Sequence, residues 1–182
     1  PYVKASVPRP TGNAGRGITP KDRLTVIDVD DILFFPERDE DGVVMKEDII
    51  LKPGGYSVSI YITPGTVEMT SNGEGETDAK GFTPSTKGKH PGNKKEIRRF
   101  KTNWLGRHCI TLLEYCSGEP TDISGSPCNP MEMSVAYTGN KDTNSSEFTF
   151  TQVSKGDDIG IYEGTVPAEE PAAVVPTGST DI

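Results

Sequence analysis

Any chemistry in this 182-residue chain has to be built from 27 acidic side chains, three cysteines and two histidines. The densest acidic pattern is Glu37-Arg38-Asp39-Glu40-Asp41-Gly42, followed by Asp48. Oxygen ligands at the first, third, fifth and twelfth places of a loop, with Gly at the sixth, outline a calcium loop. Here Glu stands at the first place, and Asp replaces the bidentate Glu at the last. Pro36 behind Phe34-Phe35 leaves no incoming helix, so the segment reads as a solvated acidic turn. Asp28, Asp30 and Asp31 form a second cluster. Asp28 and Asp30 would share a face if the strand continued. The pattern is better read as a strand running into a turn, where Asp accepts from backbone N–H groups.

His90, His108, Cys109, Cys116 and Cys128 are the candidate zinc ligands. They have no Cys-x-x-Cys knuckle, and neighbours His108 and Cys109 point to opposite faces of a strand. The cysteines read as small hydrophobes, with a Cys116–Cys128 approach across the intervening turn left open. Gly81–Lys89, GFTPSTKGK, has a Gly-Lys pair but misses the phosphate-loop spacing, and His90 stands where Ser or Thr belongs. There is no Gly-x-Ser-x-Gly elbow. Asn144-Ser145-Ser146 matches a glycosylation triplet, but no secretory signal accompanies it. Neither catalysis nor a cofactor or metal is expected.

The elements that would hold these groups are mostly short strands. Gly 20 and Pro 15 in the composition argue against a helical bundle. Leu24–Val29 and His108–Tyr115 read as buried strands. Tyr56, Val58, Ile60 and Ile62 alternate onto one face, as do Met131, Met133, Val135 and Tyr137. Val43–Leu51 suits a strand or a short helix, and Thr66–Thr70 a short strand. Residues 70–93 read as a long polar loop. Lys94–Leu105 is the one helix, with Ile97, Phe100, Trp104 and Leu105 in one stripe, Asn93 as N-cap, Glu96 completing a capping box and Gly106 at C′. Asn144–Pro167 reads as a closing hairpin, turning at Lys155–Asp158 with Gly156 at positive φ and returning over Ile159–Thr165. The expected fold is mainly β: an antiparallel sandwich or barrel of seven to nine strands with one packed helix. Residues 1–22 form an extended arm, 23–166 the sandwich domain, and 167–182 an extended tail.

Net charge is −8. A nucleic-acid binder normally carries the opposite sign, although an acidic wall suits a pore through which DNA must slide without sticking. No apolar run approaches a membrane span. The absence of a leader and the odd cysteine count suggest synthesis in a reducing cytoplasm, and Pro1 fits a removed initiator Met. Arms and strand edges that lack partners in their own chain suit an assembly subunit.

Four segments carry a resemblance: Phe100–Gly106 (FKTNWLG), Leu112–Gly118 (LLEYCSG), Gly125–Pro130 (GSPCNP), and Phe148-Thr-Phe through Gly164. Over residues 24–166 the chain resembles structural proteins of tailed phages of gut Bacteroidetes, including crAss-like phages, with the element order of a tail-tube fold. The resemblance implies a self-assembling ring or tube subunit in the tail or at the head–tail junction. It implies neighbouring tail, portal or connector proteins, and an acidic lumen through which DNA passes non-specifically. It carries no catalytic residue. The proline-rich ends depart from a minimal tube subunit and leave a ring or connector at a short tail open beside it. A capsid decoration or cargo protein is the alternative. The expected interface residues are Asn72, Gly73, Glu74, Gly75 and Glu76 in the long loop, Lys155, Asp157 and Asp158 in the turn, and Pro8, Pro10 and Pro171 in the arms. The expected location is the virion.

Overall fold

The computed structural model describes residues 3–170. In chain order the strands are β1 (Pro20–Asp28), β2 (Ile32–Phe34), β3 (Val44–Met45), β4 (Ile50–Leu51), β5 (Val58–Tyr61), β6 (Glu68–Glu74) and β7 (Gly81–Pro91). Helix α1 (Lys95–Trp104) follows, then β8 (His108–Tyr115), β9 (Thr121–Ser124), β10 (Met131–Gly139), β11 (Asn144–Gln152) and β12 (Gly160–Tyr162). The protein is mainly β, with one α-helix and a mostly antiparallel sheet. Twelve strands among the described residues exceed the seven to nine expected. The ambiguous Val43–Leu51 supplies two of the extra ones, β3 and β4.

The architecture follows from β8. Its sequence lacks the polar alternation of a half-exposed strand, and Cys109 through Leu113 are all buried. Such a run must be covered on both faces. One face meets Leu24, Val26, Ile60, Ile62, Phe148 and Phe150, the centre of the main core. Its opposite face, with Ile110 and Leu112, meets Ile27, Met45, Ile49, Ile123 and Tyr162 in a second, smaller core. β1 runs antiparallel along one side of β8, from Pro20 opposite Tyr115 to Asp28 opposite Cys109. β10 takes the start of the other side, with Met131 opposite Cys109, and β9 takes Thr111–Leu113. The sheet therefore forks at β8. One branch runs β9-β12-β3, ending in a parallel pair; the other runs β10-β11-β7-β6.

α1 closes the open side of the main core. Ile97 is buried, and Phe100 packs edge-on against Phe148 with ring centroids 5.7 Å apart. Trp104 stacks on Phe100. Lys101 Nζ donates to Asn93 Oδ1 at 3.0 Å and to Ser146 Oγ at 3.2 Å, tying the helix to β11. Two details of the expected helix change, and its stop at Gly106 holds. Lys94 occupies the N-cap position without a side-chain cap bond, so Asn93 anchors Lys101 rather than capping. Leu105 lies past the last turn and is 61% exposed. Gly106 takes the left-handed conformation the helix stop requires, at φ 79°.

Two larger expectations are overturned. Residues 70–93 are not a loop, because β6 and β7 form a seven-pair hairpin from Glu68↔Lys87 to Glu74↔Gly81. β7 then continues along β11 from Ser85↔Thr151 to Pro91↔Ser145. Pro84, Thr86 and Gly88 face the core, where small side chains accommodate Phe148 and Phe150. Asn144–Pro167 is not a hairpin either. β11 pairs with β10 and β7, whereas β12, only Gly160–Tyr162 of the expected return strand, pairs with β9 and β3. The Lys155–Asp158 connection crosses between branches, and Gly156 does not adopt positive φ.

The ends differ from each other. No residue from Val3 to Ile18 is buried or in regular structure, and Val7 is 95% exposed. The first anchoring bond of the arm is Cys116 N–H to Thr19 O, 3.0 Å. The start of the tail is held by its own chain: Ser57, fully buried, donates N–H to Ala168 O and Oγ–H to Pro167 O. Arg23 pairs with Glu169 at 3.5 Å.

Candidate functional site

The Asp28 cluster is a helix-start device. Asp28 Oδ1 accepts from Asp30 N at 2.9 Å and opens a single 3-10 turn, Val29–Asp31, while Oδ2 accepts from Arg107 Nε at 2.8 Å. The acidic Glu37–Gly42 segment is a turn fixed from within. Asp39 Oδ1 accepts from the N–H groups of Val43 and Val44 at 2.9 and 3.1 Å. Those bonds, Val43's first, hold its carboxyl below the ordinary Asp range. His108 makes an exposed 2.9 Å pair with Glu132, and His90 Nδ1 lies 2.8 Å from Tyr61 O. Cys109 is buried, its S–H directed at Met131 O, and burial pushes its pKa up to about 12. Cys116 and Cys128 are exposed free thiols. Among the described residues no three His, Cys, Asp or Glu side chains gather as a metal-ligand group.

The nominated interface residues fare differently. Asn72, Gly73 and Glu74 end β6, and Gly75 and Glu76 begin the turn of its hairpin. Lys155, Asp157 and Asp158 follow β11. The structure brings these two groups together. Phe82 and Gly156 exchange backbone hydrogen bonds of 2.8 and 2.9 Å, and Ser71 Oγ bonds Asp158 Oδ1. Pro8 and Pro10 lie in the exposed arm, and Pro171 lies outside the described residues.

Three residues that organise this patch were not singled out from sequence. Arg38 spans two segments, donating from Nη2 to Asp158 O at 2.6 Å and from Nη1 to Gly42 O at 3.1 Å. Asn129 grips Ser154 twice, donating to its carbonyl at 2.8 Å and accepting from its N–H at 3.0 Å. Phe82 provides the hairpin's side of the bridge. A lone cation within Glu-Arg-Asp-Glu-Asp was the available signal for Arg38; nothing local marks the other two.

Between the Arg38 turn, Cys128–Asn129 and Gly156–Asp157 lies a cavity of about 590 Å³. Gln152 lines it, is 6% exposed, and its Oε1 has no hydrogen-bond partner among the described residues. No histidine lines it beside Cys128. Glu37, Asp39 and Asp157 give it carboxylates, and Asp39 is held as an acceptor by backbone N–H groups.

Among the described residues no helix is long and apolar enough to cross a membrane. No family model matches the sequence, and neither curated proteins nor solved structures show a significant match to the chain.

Proposed function

We propose that this chain is a structural subunit of a tailed-phage virion that assembles with copies of itself into a ring or tube-like channel. The observation that carries the reading is the β6–β7 hairpin. Its distal part extends past the strands that support it, and among the described residues the outer edge of β6 pairs with no other strand. An open edge seven residues long is a template for another chain, and natural proteins otherwise shorten or cover such edges. Lys87 pairs with Glu68 at the base of the hairpin, while Glu74, Glu76 and Asp78 outnumber Lys80 at its turn, in a chain of net charge −8, the sign that keeps DNA from adhering to a passage. In this reading the patch joining the hairpin to Lys155–Asp158 contacts an adjacent subunit or ring. Its partners are neighbouring tail, portal or connector proteins, its place is the virion, and it performs no catalysis.

The test is the mass of the purified chain in solution, with images of the particles. A closed ring supports the proposal. A monomer or trimer that instead decorates a capsid lattice supports the auxiliary role. A second arm shortens the hairpin without touching its core half, replacing residues 75–80 by Asn-Gly, a two-residue turn suited to joining Glu74 to Gly81. The shortened chain is expected to fold and to lose stacking between rings. Unchanged stacking would remove the hairpin from the interface.

A further inference from the structure

We propose that the proline-containing arm of one copy docks in the aromatic groove between α1 and β5 of a second copy. The proposal rests on the self-assembly reading above and adds to it a site and a ligand segment. The groove encloses about 530 Å³ and is floored by Ile60 and Ile97, with Tyr56, Tyr61, Phe100 and Trp104 along it. Tyr56 and Tyr61 are 38% and 44% exposed. Among the described residues β5 pairs with one strand, β1, and Ser57 just before it bridges Glu169 of the same chain, so the remainder of its outer edge faces the groove. Glu96 and Glu170 supply carboxylates to the lining, beside one arginine, Arg99. Beyond Trp104 and Asn103 lies an adjoining hollow lined by Asp28 and Asp31, where Arg107 pairs with Asp28 and leaves Asp31 as the added carboxylate.

The arm complements this groove in shape and charge. Pro8 and Pro10 fix their own φ, and a following proline keeps Val7 and Arg9 extended. Val7–Pro10 is therefore held near a polyproline II path before it binds. Segments of this kind dock on aromatic grooves with little ordering cost. Lys4, Arg9 and Arg16 are the charged residues of 1–18, with no carboxylate among them, in a chain that is acidic as a whole. The arm's apolar residues lack cover in their own chain, Val3 at 61% and Val7 at 95% exposure. A second copy provides an acidic-rimmed aromatic surface for them.

Trp104, the single tryptophan of the chain, lies in the groove and reports on its cover. The acceptor is a chain lacking residues 1–18, none of which is buried among those described, so the core is retained. The donor is the full chain carrying Trp104→Phe, which is silent in tryptophan fluorescence. Adding donor is expected to shift acceptor emission to the blue and lower its acrylamide quenching at least twofold. Donor also carrying Pro8→Gly, Arg9→Gly and Pro10→Gly is expected to do neither, and acceptor carrying Glu96→Lys to respond less. Two results overturn the proposal: no protection by intact donor, or a Trp104 as shielded in the acceptor alone as in the full chain, which would assign the groove to another segment such as residues after 170. The mass of the same full-chain sample separates the two ideas. A ring whose Trp104 ignores the arm sinks the docking and leaves the ring. Protection within a dimer sinks the ring and leaves the docking.

Discussion

Placing a methyl group on Gly88 tests the packing that makes β7 a core strand instead of a loop. Gly88 is buried, opposite Phe148 in the register, and packs on Ile62, the residue just past β5. A Cβ there would lie 2.5 Å from Ile62 Cγ2 and 3.0 Å from its Cδ1. The first distance is well inside van der Waals contact, and Ile62 is only 1% exposed, so it has nowhere free to turn. Overpacking of this kind costs about 1–3 kcal/mol. With a urea dependence of about 2 kcal/mol per molar, Gly88→Ala should lower the denaturation midpoint by roughly 0.5–1.5 M at unchanged slope. Ile62→Ala alone should cost about 2–5 kcal/mol by opening a cavity. In the double variant the new methyl sits in the space the isoleucine vacates. The pair should therefore be less damaging than the sum by about 1 kcal/mol or more, beyond the roughly 0.5 kcal/mol scatter of independent sites. A neutral Gly88→Ala, or strict additivity, would refute the packing of Gly88 against Ile62.

Asp122 lies partly buried against Tyr115, whose hydroxyl donates to its carboxylate at 2.5 Å, and burial raises its pKa above the ordinary Asp value. The folded state thus holds this proton more tightly: the contribution to stability is present below the unfolded pKa and is lost as pH rises through the folded one. Asp122→Asn should gain stability over the parent between pH 3 and 7, read by denaturation at each pH; a constant difference would exclude the linkage. Thiol labelling of the native chain should modify Cys116 and Cys128 readily and Cys109 only on unfolding, since its burial both blocks access and disfavours the thiolate. Rapid labelling of all three would contradict the main core. Asn129→Ala removes both bonds to Ser154 and should cost about 1–3 kcal/mol, with faster amide exchange at Ser154; unchanged exchange there would show that the clamp does not hold the crossing segment.

The parts legible in sequence were those whose signal is local. β8 announced itself as an apolar run, and α1 through the spacing of Ile97, Phe100 and Trp104. β7 was hidden because its inward residues are Pro84, Thr86 and Gly88, which carry almost no hydropathy. They alternate in size rather than polarity, and that becomes visible only once Phe148 and Phe150 are known to lie opposite. The closing hairpin misled for the converse reason. Lys155-Gly156-Asp157-Asp158 has turn chemistry, but β12 finds Ile123 and Val44 as its neighbours, partners that no local rule can name. At the candidate patch, the two nominated groups were each chosen for polarity and turn character. Their meeting through Phe82 and Gly156 depends on the long-range pairing of β7 with β11.

The fork at β8 has a further consequence for how the chain comes apart. Each branch of the sheet joins the rest through this one strand, and the two cores occupy its opposite faces. Local openings in proteins usually follow contiguous units that can detach while the remainder stands. Here detaching either branch strips one half of β8's outer side and uncovers one of its faces, leaving the surviving half without its support. Both branches depend on the same strand, so the chain is expected to unfold as one unit rather than branch by branch.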